Sequence, residues 1–199
     1  MLYLRKTKNS KVLTENLAYN PKTPSVNKKI CGYLQEEQKN FCAYTEKYLI
    51  PLDAVEVEHF DPRLKNTTKD DYWNYYAVLR LMNSKKTNKI DQFEPLLIPY
   101  AADLKDRIYF HDWLFKPVND DDHEAANLIE YLGFNRPELY EDRKHHIERL
   151  LWLRSALADD DKFIEHLLND KRNLSYYSAF RVSFDIEDSR LEAIVTQSF

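Results

Sequence analysis

Apolar and polar positions along this chain change their spacing three times. Residues 1–22 have no sustained period, and with Pro21 and Pro24 they read as an irregular arm. Val26, Ile30, Tyr33 and Leu34 then form one stripe in VNKKICGYLQEEQKN, predicting an amphipathic helix capped by Ser25. Tyr48–Ile50 and Ala54–Val57 flank Pro51, Leu52 and Asp53, which predicts a hairpin. RLKNTTKDD reads as loop and Tyr75–Leu79 as strand, with helix the alternative for the longer segment. Asn83–Lys89 reads as a short basic helix or loop.

Past Phe93 the pattern changes. FEPLLIPYAADLKDRIYFHDWLFKP mixes prolines and aromatics without a period and predicts extended pieces wrapping the core. Glu124–Leu132 predicts a helix closed by Gly133. Asn135 is placed to cap the next, with Pro137 and Glu138 in its first turn. That helix runs to about Leu157, with Leu139, His146, Leu150 and Leu153 facing inward. Asp159–Asp161 opens another through FIEHLLND, and Ile186–Val195 suggests a last short one. The expected class is α+β, mainly helical. A basic arm, helix and small αβ centre occupy 1–95, a helical extension 96–199, and the two form one compact unit.

Composition supports a folded, largely helical protein: 43% hydrophobic, 14% aromatic, and only Gly32 and Gly133 for left-handed turns. No apolar run reaches the roughly 20 residues of a membrane span. The start, MLYLRKTKNSK, lacks a secretion signal's apolar stretch. Cys31 and Cys42 are too few for a disulfide framework, so the expected compartment is the cytoplasm. The net charge of −4 hides segregation. Residues 1–40 carry eight Lys/Arg against three acids, and residues 63–89 seven against two. Between them, residues 41–62 carry one against five, and 90–199 carry thirteen against twenty-three. An acidic island between basic stretches suits phosphate contact around a bound cation, and equally a mixed soluble surface.

The island supplies the chemistry. Glu58 and His59 end a β-branched run; Asn74 follows the histidine by fifteen residues and Asn83 by nine more. Phosphodiester hydrolysis needs a base for water and a cation for the developing charge. A histidine serves as base near neutral pH, while carboxylate and amide oxygens suit Mg²⁺ or Mn²⁺. Each residue alone has a plainer reading: Asn74 as a turn residue, Asn83 as a helix cap. His123, His145, His146 and His166 fit helix surfaces or packing, and Tyr176-Tyr177 fits a core. The ordered set carries the argument.

Glu58-His59, Asn74, and Asn83 followed by Lys86 resemble the HNH endonuclease motif. That resemblance implies a small ββα-metal finger with helical parts on either side, cutting DNA with Mg²⁺ or Mn²⁺. It makes His59 the general base, Asn74 its orienting partner, and Glu58 and Asn83 the metal ligands, with Asp61 in reserve. Lys86 would contact phosphate, helped by Lys85, Arg63 and Lys89. Many members hold a structural zinc on two CxxC pairs. Here Cys42 stands alone against Thr45, Leu79 and Met82, so no structural zinc is expected and Tyr44, Leu79 and Met82 should pack instead. LIEYLGFNRPELYEDRK is similar to a segment in HNH proteins of antiphage operons, Septu-type ones among them. This implies defence and a partner ATPase docked on the acidic half. A catalytically degenerate scaffold that binds nucleic acid or protein without cutting is the alternative, and a plain helical interaction subunit the third reading.

Overall fold

The computed structural model describes residues 4–157 and 159–184, so the expected helix at Ile186–Val195 lies outside them. The arm contains a short helix, α1 (Lys11–Thr14), capped by Ser10 Oγ on the Val12 amide. Helix α2 (Pro24–Glu37) follows, with Thr23 rather than Ser25 at its cap position. Pro24 explains the earlier start, because the first helical position needs no amide donor. Strands β1 (Val55–His59) and β2 (Tyr75–Leu79) pair antiparallel, His59 opposite Tyr75 and Val55 opposite Leu79. Helix α3 (Arg80–Lys85) starts directly after β2.

The expected hairpin of Tyr48–Ile50 with Ala54–Val57 does not form. Tyr48 instead bridges Phe41, and Ala54–Val57 belongs to the approach and start of β1. The true partner, β2, is better buried: Tyr75, Tyr76, Ala77 and Val78 are almost fully enclosed. One face of the pair, through Val55, Val57, Tyr75 and Ala77, packs on Val12, Ile30 and Leu34 of α1 and α2. The other face, through Tyr76 and Val78, joins the main core. The outer edge of β2 is not left open. Gln38 and Ala43 satisfy Ala77, the Gln38 amide bonding its carbonyl at 2.8 Å and accepting from its N–H at 2.8 Å. Such pairing removes an edge open to strand addition by another chain.

After β2 the chain continues through α4 (Leu104–Arg107) into a second antiparallel pair, β3 (Ile108–His111) and β4 (Leu114–Pro117). The expected extended pieces are therefore partly a hairpin, turned at Asp112 and Trp113, both with positive φ. Helix α5 (His123–Leu132) ends on Gly133 at φ +67°, as its sequence predicts. Phe134 N–H reaches back to the Ile129 carbonyl, closing the turn. Asn135 does not cap α6 (Pro137–Leu157); its side chain bonds both backbone groups of Phe115.

On α6 the expected face holds in part: Leu150 is buried, Leu153 packs against the core and His146 meets Asn173 and Tyr176, while Arg143 and Ile147 are the further fully buried positions. Arg143 can be buried because both guanidinium ends find carbonyls, at Trp113 and Phe134, while Phe110 and Phe115 lie under its plane. These partners offset part of the cost of burying the charge, although burial still lowers the guanidinium from its ordinary value. Helices α7 (Asp160–Asn169) and α8 (Tyr177–Phe184) complete the described part. The main core runs from Leu4 and Phe41 through Leu128 and Ile147 to Phe180.

Candidate functional site

The pleat of β1 sends alternate side chains to opposite faces. Val55, Val57 and His59 turn toward the arm and α2, while Glu56 and Glu58 turn toward α3 and the main core. Two half-sites therefore leave one strand.

On the first face, His59 is 4% exposed. Tyr19 of the arm and Tyr75 of β2 meet its ring edge-on, with centroids 4.7 and 5.2 Å away. Its Nε2 lies 3.2 Å from Asp70 Oδ2, at an angle that leaves the nitrogen without an aligned hydrogen bond. Asp70 is held in turn by Asn66 N–H at 3.0 Å and Asn74 Nδ2 at 3.3 Å. Burial pushes the imidazole down to about 4, against the opposing pull of Asp70, so His59 is neutral at neutral pH.

Asn74 does not touch His59 itself. Its carbonyl accepts the Phe60 N–H at 2.9 Å, and its side chain bonds both backbone groups of Asp61, at 2.7 and 3.0 Å. It clamps the two residues after the histidine, and reaches the imidazole only through Asp70.

On the second face, Glu58 is 5% exposed and its Oε1 lies 2.7 Å from Lys86 Nζ. Lys86 is not at the surface. Its ammonium also donates to the carbonyls of His59 and Phe60, each at 3.1 Å, and to Tyr131 Oη at 2.7 Å. Burial raises the Glu58 carboxyl and lowers the Lys86 ammonium from their ordinary values, and each partly restrains the other. One helical turn back, Asn83 Nδ2 donates to Glu56 Oε2 at 2.9 Å. Glu56 also receives Arg80 Nε at 2.6 Å. Asn83 thus meets Glu56 between β1 and α3, while Glu58, on the same face of β1, is engaged by Lys86.

Among the described residues no cluster of three or more His, Cys, Asp or Glu is arranged to hold a metal. A carboxylate or two plus an amide oxygen suits Mg²⁺, which keeps several waters, better than a cation needing a full protein cage. Glu58 Oε1 is buried and already faces the Lys86 ammonium at 2.7 Å, so a cation bound there would take the place of Lys86.

The other sequence candidates scatter. Asp61 caps the turn at Arg63 N–H and takes the Arg63 guanidinium; burial would raise its carboxyl, but those bonds hold it below the usual range. Arg63 additionally engages Asp91 and Glu94. Lys85 pairs with Glu138 on α6, and Lys89 is exposed. Tyr44 and Leu79 pack in the main core beside Cys42, whose sulfur accepts the Leu79 N–H.

Sequence reasoning missed Asp70, Glu56, Tyr131 and Lys65. Glu56 was signalled by the VEVE alternation, which puts it on the face of Glu58. Lys65 carries its charge toward both His59 and Glu58 and lies over the Tyr19 ring at 5.4 Å. Asp70 and Tyr131 had no local signal.

No protein-family model and no solved structure matches the chain. Over 143 residues it is 26% identical to the "Retron Vc95 putative HNH endonuclease" of Vibrio cholerae serotype O1 biovar El Tor, covering 66% of this chain and 69% of that relative. This likeness supports membership of the HNH endonuclease family and, at that level, a nuclease function.

Proposed function

We propose that the chain is a metal-dependent HNH endonuclease that hydrolyses DNA, with β1, β2 and α3 as its ββα-metal finger. The observation that carries this reading is a buried, neutral His59 beside Asp70, on the strand that also holds Glu58. A base must be unprotonated to take a proton from water, and burial keeps His59 so.

Glu58 and Asn83 would hold Mg²⁺ or Mn²⁺, with Glu56 beside them; when bound, the cation would offset charge on the phosphate and leaving oxygen. His59 takes the proton of the attacking water. Asp70 fixes the ring and favours the tautomer that leaves the other nitrogen free to accept it. Because Glu58 and His59 diverge, a phosphate served by both lies across the end of the strand. Tyr19 covers the imidazole, so DNA reaches it only when that ring swings aside. Lys65, at the rim, is a phosphate contact alongside Lys89. Lys86 orders the site from inside.

A role as the nuclease of an antiphage complex with a partner ATPase belongs to the same proposal. It draws support from the likeness of LIEYLGFNRPELYEDRK to antiphage HNH proteins and from the relative's name as a retron protein.

The purified chain should nick or linearise supercoiled plasmid with Mg²⁺ or Mn²⁺ and do nothing in EDTA. No cleavage of duplex or single-stranded DNA with either metal, alone or with the operon partner, would favour the non-cutting scaffold. Asp70→Asn should lower the plateau rate by ~10² and move the acidic limb of the pH–rate profile downward, since Asp70 raises the His59 pKa. A lower plateau with an unmoved limb would mean that Asp70 acts only on the fold.

A further inference from the structure

Away from β1, a cavity of about 680 Å³ opens where three distant stretches meet: the arm at Arg5 and Lys6, residues 99–115, and α8. Its size lies within the range of small-ligand sites. Lys105 and Tyr109 stand exposed at its wall, and Tyr100 is 37% exposed there. Arg5 and Arg181 add two further cations and Asp106 a single acid.

Lys105 and Arg181, joined by Arg5 from the basic arm, face the cavity against the single acid Asp106, an excess of positive charge that favours an anionic ligand. Lys6 adds little, since it turns inward over the rings of Tyr72 and Tyr76, where burial lowers its pKa to about 7. Arg5 and Arg181 have interactions of their own within the chain, which a ligand would share. Ser178 is committed to Glu46. Lys105 is therefore the side chain best placed to meet an incoming anion. Tyr100 and Tyr109 present ring surface at the same wall, and aromatic faces stack bases with little regard to their identity. Tyr100 also lies 5.3 Å from Trp73, the residue before Asn74.

We infer that this cavity binds a nucleotide, with the phosphate on Lys105 and Arg181 and the base on Tyr109 or Tyr100. The ligand is either a free nucleoside phosphate or one unit of a nucleic-acid strand. The inference does not depend on the nuclease reading, because it needs neither His59 nor a metal.

Calorimetric titration of the full chain in EDTA, with ATP, a short oligothymidylate and inorganic phosphate as separate probes, tests it. ATP or the oligonucleotide should bind saturably, and Lys105→Glu and Tyr109→Ala should each weaken binding by ~10-fold. Both positions are exposed, so these variants keep the fold, and His59→Ala should bind as wild type does. Tighter binding of ATP identifies a free nucleotide; tighter binding of the oligonucleotide identifies a strand. Absence of saturable binding by both overturns the inference. So does phosphate binding as tightly as ATP with no effect of Tyr109→Ala, or nucleotide binding indifferent to both variants.

Discussion

His59→Ala is expected to lower DNA cleavage by ~10²–10⁴-fold, the usual contribution of a positioned general base. Three features make the histidine hard to replace. It is neutral at working pH because burial opposes the charged form. Tyr75 and Asp70 hold its ring from β2 and the neighbouring loop, so its orientation is kept when Tyr19 moves off it. The Phe60 and Asp61 backbone behind it is fixed by Asn74. Because the ring is enclosed, truncation leaves space in the site, and the variant's melting curve must accompany its rate. A rate within threefold of wild type, measured on folded protein, would remove His59 from the chemistry.

The second large effect is on stability. Lys86→Met should destabilise the fold by about 3 kcal/mol, because it leaves the Glu58 carboxylate buried without its counter-charge. It also removes the donor shared by the His59 and Phe60 carbonyls and Tyr131 Oη, so the end of β1 loosens from α5. Adding Glu58→Gln should recover more than half of the loss, since the unpaired charge is the main cost. Urea unfolding of the wild type, both single variants and the double variant measures this coupling. Additive losses would mean that the two groups do not support one another. Had Lys86 been a surface phosphate contact, its removal would barely change stability and would act on DNA affinity alone.

Legibility in the sequence followed locality. Helices with a strong stripe and clear end signals, such as α5 with Gly133, could be read directly, as could the strand character of Tyr75–Leu79. The strand partner was misread because Tyr48–Ile50 is near Ala54 in sequence, whereas β2 is distant and better buried. The burial of Arg143 had no sequence signal, because a lone charge gives no hint of the two carbonyls and two rings that receive it. For the candidate site, the types and order of Glu58, His59, Asn74 and Asn83 were visible, as was the divergence of the first two. Their partners were not. Asp70 lies in a polar loop, and Tyr131 is seventy-two residues from His59, so only folding brings them there.

The proposed reading rests on Glu58 of β1 and Asn83 of α3 holding one divalent cation beside His59. The most direct measurement is the anomalous scattering of Mn²⁺ soaked into crystals of the protein. One ion is expected, bound by the Glu58 carboxylate and the Asn83 amide oxygen between β1 and α3, with Lys86 turned away from Glu58. An ion bound elsewhere, or Mn²⁺ absent while Lys86 keeps its place on Glu58, would contradict it.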